Sequence, residues 1–69
     1  MSESRLDKRF GAVAIEKGFI TLENLIEAMK IQILENLDGS DHRLIGQILW
    51  EKGYIKTEQI NEVLESMGI

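Results

Sequence analysis

Glu16-Lys17-Gly18-Phe19-Ile20 and Glu51-Lys52-Gly53-Tyr54-Ile55 are one phrase written twice, 35 residues apart. The same offset pairs Gly11 with Gly46, Ala14 with Leu49, Leu25 with Ile60, Glu27 with Glu62 and Met29 with Leu64. Recurrence at such a period marks a supersecondary unit present in two copies, each too small to bury its apolar side alone and so covering the other's. The 69-residue chain then divides into repeat 1 at about 5–37, a linker at about 38–42 and repeat 2 at about 43–69. The fold class expected is all-α: a small bundle of four helices built from two tandem helix-turn-helix repeats.

Within each copy the apolar residues fall at helical spacing, and no proline interrupts them. Leu6, Phe10, Val13, Ala14 and Lys17 share a face of the first helix, as do Ile45, Ile48, Leu49 and Lys52 of the third. Both helices end on a lysine followed by glycine, where a left-handed cap favours Gly18 and Gly53 and a cation suits the helix dipole. Thr21 reads as the N-cap of helix two, with Asn24 completing a capping box and Ile20 and Leu25 a hydrophobic staple. In the second copy Ile55 and Ile60 keep the staple, Lys56 replaces the threonine, and the cap is expected to move to Thr57. The stripes Leu22, Leu25, Ile26, Met29, Ile33, Leu37 and Ile60, Val63, Leu64, Met67 are the expected core. Ser40 and Asp41 are candidate caps for helix three.

Composition narrows the function classes. The chain is 43% hydrophobic and 29% charged, the balance of a folded domain rather than a disordered tail. It has no cysteine, which removes disulfide and zinc-ribbon scaffolds and points to a cytoplasmic setting. No stretch approaches the roughly 20 apolar residues of a membrane span, and residues 1–8 lack a signal-peptide core. A net charge of −4 and a pI near 4.8 argue against DNA or RNA, since phosphate binding draws on many Lys and Arg. Helices two and four would also bring Glu23, Glu27, Glu58, Glu62 and Glu65 to a phosphate backbone.

No glycine-rich phosphate loop, nucleophile elbow or histidine pair is present, so no catalytic residue, metal site or resident cofactor is expected and the chain reads as non-enzymatic. His42 with Asp38 and Asp41 sketches a metal set, but a short polar turn uses these residue types for capping. Trp50 and Tyr54 read first as packing between the copies. Exposure of Trp50, or of the Ile31 and Ile33 edge, would instead mark a dimer or docking surface. Arg5, Lys8 and Arg9 form a local basic group in an acidic chain, suited either to an anion or to ion pairs with Asp7 or Glu16.

The run Arg9, Phe10, Gly11, Ala14, Gly18, Leu25, Met29, Gln32 resembles the motif R-L-G-x-x-L-x-x-x-G, six variable residues, L-x-x-x-L-x-x-Q. That motif belongs to the MshE-type N-terminal domain of type II secretion and type IV pilus-assembly ATPases. Spacing is kept, and the departures exchange one apolar residue for another. In the second copy Gly46, Leu49, Gly53, Ile60 and Leu64 hold the pattern, while Leu44 and Met67 stand where the arginine and glutamine belong. Arg43 falls one residue early, about 100° round a helix. The resemblance implies an all-helical bacterial docking or regulatory domain, here without the ATPase, acting in trans on a protein partner. It also implies the alternative of a cyclic di-GMP receptor, with Arg9, Phe10, Gly11, Gly18, Leu25, Met29, Gln32 and Arg43 as the ligand-binding set.

Overall fold

The described residues form four helices: α1 (Ser2–Glu16), α2 (Leu22–Asp38), α3 (Ile45–Glu51) and α4 (Thr57–Ser66). The computed structural model describes residues 2–39 and 43–69, with side chains from Leu6 onward, and among these residues there is no strand. The all-α bundle expected from the periodicity is therefore the architecture found.

The repeated phrase is the corner of the fold. After α1 the Gly18 N–H donates to the Ile15 carbonyl at 2.9 Å and the Phe19 N–H to Ala14 at 3.0 Å. After α3 the Gly53 N–H donates to Trp50 at 3.0 Å and the Tyr54 N–H to Leu49 at 2.9 Å. This pair of bonds closes a helix through a left-handed residue, and Gly18 and Gly53 take φ of 78° and 81°. A β-carbon there would strain the backbone, so glycine in the phrase is a conformational requirement.

The helix starts differ. Thr21 caps α2 with a complete box: its hydroxyl accepts from the Asn24 N–H, and the Asn24 side chain accepts from the Thr21 N–H, both at 3.1 Å. At α4 the N-cap is Lys56, not Thr57, which is already in the helix. Gln59 returns one half of the box by accepting from the Lys56 N–H at 2.9 Å, but an ammonium has no lone pair for the other half. Ser40 and Asp41 lie outside the described residues. The N-cap position of α3 is Leu44, whose side chain makes no capping bond.

The main packing runs between the halves. α3 lies against α1 and α2, and α4 lies against α1. Exchanging α1 with α3 and α2 with α4 leaves that pattern unchanged. Residues 35 apart are buried together: Phe10 with Ile45, Ala14 with Leu49, Ile20 with Ile55 and Ala28 with Val63. Two ion pairs obey the same offset, Lys17 with Glu62 at 3.6 Å and Lys52 with Glu27 at 3.3 Å.

On α2 a further expectation is overturned. The stripe assigned to the core on α2 is largely outside it: Leu22, Ile26, Met29, Ile33 and Leu37 are all exposed, Leu37 to 80%. The residue of α2 that is fully buried is Ala28, with Leu25 and Ile31 packed beside it. A small side chain lets α3 come close, and that rotates the larger apolar residues out toward solvent.

Candidate functional site

Two features stand out on this frame, an apolar groove and a polar bridge beside it. The groove has a volume of about 460 Å³ and runs between α1, the start of α3 and α4. Buried Phe10 and Met67 line it together with the more exposed Leu6, Leu44, Trp50 and Ile69. Trp50 is 51% exposed and Leu44 50%, so the indole fills no gap between the halves, contrary to the packing role expected for it. Tyr54 is half-buried and its hydroxyl donates to Glu27 at 2.7 Å.

Gly46 lines the groove and packs against the Phe10 ring. A β-carbon at Gly46 would lie 3.0 Å from the ring tip, so a larger residue would push Phe10 from its seat. Asp7 and Gln47 are polar residues on its border. No sequence signal marks Leu6, Leu44 and Ile69 as partners in a groove, because their proximity arises from packing between segments distant in sequence.

The polar bridge is centred on Asp7. One carboxylate oxygen accepts from the Gln32 amide at 2.7 Å and the other from the Ile45 backbone N–H at 3.3 Å. Asp7 is thus the cap that α3 lacks locally, supplied from 38 residues away. The Gln32 amide also donates to the Arg43 carbonyl at 3.1 Å, fixing the chain just before α3. The Arg43 guanidinium forks onto both oxygens of Glu35 and also pairs with Glu51. The hydrogen bond from Arg43 holds the Glu35 carboxyl below its ordinary value, against the opposing effect of partial desolvation. Glu27 is likewise lowered, first by the Tyr54 hydroxyl and then by Lys52, and the same bond raises the Tyr54 phenol.

The motif residues scatter over this framework. Phe10 belongs to the core, and Gly11 is buried against Leu25, whose Cδ1 would meet a β-carbon at 2.7 Å. Gly18 forms the left-handed turn. A second hollow of about 350 Å³ between α1 and α2 does bring Leu25, Met29 and Gln32 together, alongside Lys8 and Ala12. Arg9, exposed on α1, and Arg43, held by two glutamates, are not among its lining. Asp7, offered as an ion-pair partner for the basic group, gives its described bonds to Gln32 and Ile45 instead. The side chain of Arg5 lies outside the described residues, as do Asp41 and His42 of the metal sketch.

Among the described residues no group of three His, Cys, Asp or Glu is placed to hold a metal ion. No helix among them is long and apolar enough to cross a membrane. No family model, curated protein or solved structure matches the chain.

Proposed function

We propose that the chain is a non-enzymatic interaction module that holds a protein partner in the groove around Trp50. The observation that carries the reading is the combination of an open apolar trough with a half-exposed indole on its wall. Tryptophan is among the residue types most enriched at the few positions that dominate binding energy at protein interfaces. The resemblance to the docking domains of secretion and pilus-assembly ATPases supports the same assignment. The polar bridge has a supporting role: Asp7 and Gln32 fix the start of α3 and with it the position of Leu44 on the groove wall.

Trp50 is the sole tryptophan of the chain, so its emission reports the groove directly. A partner captured by the wild-type chain should shift that emission to the blue when purified and titrated. Trp50→Ala should weaken its binding by about thirtyfold, the effect of losing a hot-spot residue worth roughly 2 kcal/mol. A partner that binds Trp50→Ala as tightly as wild type sinks the assignment.

The second reading, a cyclic di-GMP receptor, is favoured by the hollow in which Leu25, Met29 and Gln32 meet. Weighing against it, the Gln32 amide already donates to Asp7 and Arg43, and the Arg43 guanidinium is held by Glu35 and Glu51. Titration followed by two-dimensional amide NMR separates the two. Shifts clustered at Arg9 and Gln32 at micromolar ligand would establish the receptor, and silence at millimolar ligand would remove it.

A further inference from the structure

The exposed stripe of α2 lies apart from the groove. Leu22, Ile26, Met29 and Ile33 follow one another at steps of four, three and four, the spacing at which two helices interlock along a seam. They are 57%, 43%, 38% and 54% exposed, and none of them lines the groove. The two edges of the stripe differ. Leu25 and Gln32 flank it on the side turned to the rest of the domain, where Leu25 packs on the core and Gln32 bonds to Asp7. Glu23 and Lys30 flank it on the outward side, and both are exposed.

We infer that this stripe pairs with the same stripe of a second copy, α2 running antiparallel to α2. In that arrangement Leu22 meets Ile33 and Ile26 meets Met29, each contact occurring twice about the twofold axis. Antiparallel pairing also sets like edges together, so Glu23 of each copy lies beside Lys30 of the other and two ion pairs close over the seam. A parallel pair would set the Glu23 and Lys30 edge against Leu25 and Gln32, with no charge to meet. The stripe points roughly 130° round α2 from buried Ala28, counted at about 100° per residue, so the two domain bodies splay apart instead of colliding. A lipid surface is a poorer occupant, because the chain carries a net charge of −4 and Glu23 and Glu27 stand on this helix.

Sedimentation equilibrium of the full chain, from about 1 µM to about 1 mM, tests the pairing. The expected mass rises from 7.9 kDa to twice that value. Ile26→Glu, at an exposed position and with helicity checked by circular dichroism, should remain monomeric throughout. Lys30→Glu should raise the dimer Kd by about tenfold, because two attractive pairs become repulsive. Combining it with Glu23→Lys should return the Kd to near wild type. A wild-type chain that stays monomeric at the highest concentration, a dimer indifferent to Ile26→Glu, or a double variant no better than Lys30→Glu overturns the inference. Because Trp50 lines the groove, which no residue of the stripe does, Trp50→Ala should dimerise normally, which keeps failure here distinct from failure of the groove.

Discussion

The two halves of the molecule begin from one phrase and end in different states. The second half supplies the largest fully buried side chains: Ile45, Ile48, Leu49 and Val63 are all but completely buried, and Met67 nearly so. The first half buries Ala14 and Ala28 at the positions of Leu49 and Val63 and leaves the larger residues of α2 in solvent. The difference teaches that the core is shared asymmetrically. Large side chains from the second half fill the space that small ones in the first half leave, and α2 is thereby released to present a second apolar surface.

The largest expected effect tests that asymmetry. Leu49→Ala should cost about 2–5 kcal/mol in urea unfolding, as for other fully buried leucines. Leu37→Ala, at an equally apolar but 80% exposed position, should stay within about 0.5 kcal/mol of wild type. Equal costs would mean that the α2 stripe is core after all. Next in size is Asp7→Ala, which removes the cap of α3 and a partner of Gln32 together. A loss of about 1–2 kcal/mol is expected by the same measurement, and a neutral result would show that the bridge across the halves carries no weight.

The helix starts give a smaller and reciprocal pair. Thr21→Ala should destabilise by about 1 kcal/mol, whereas Lys56→Thr, which supplies the missing half of the second box, should stabilise by about 0.5 kcal/mol in thermal melts. If both are neutral, the difference between the caps has no energetic content.

The smallest effect concerns Tyr54, the hydroxyl that distinguishes the second phrase from Phe19 in the first. Glu27 ionises below its ordinary value of 4.5 in the folded chain. Its contribution is therefore complete above that value and lost as pH falls through the lower, folded one. Tyr54→Phe should move the Glu27 titration upward in NMR and flatten the acid limb of stability, with Lys52 retaining part of the shift. An unchanged Glu27 titration would remove Tyr54 as its main partner.

Local chemistry was legible in the sequence, the cap of α4 excepted; distant chemistry was not. Gly18, Gly53 and the Thr21 and Asn24 box are decided by neighbours within a few residues, and each reads correctly from the letters alone. The inward face of α3 is legible for a related reason, since its three aliphatic residues Ile45, Ile48 and Leu49 share one side of the helix. On α2 the periodicity marks an apolar stripe but cannot say whether anything covers it. The clue was the 35-residue offset itself, which aligns Ala28 with Val63 and so names the face that packs. Asp7 as the cap of α3, and the trough around Trp50, join residues more than 30 apart and leave no trace in spacing.

Because each helical hairpin rests on its counterpart more than on itself, neither is expected to survive as an excised peptide. A backbone cut after Gly39 should leave two fragments clasped in a native-like pair that separates on dilution. Assembly must likewise wait until segments as far apart in sequence as those of Lys17 and Glu62 have met, which slows folding relative to helical bundles stitched by adjacent segments.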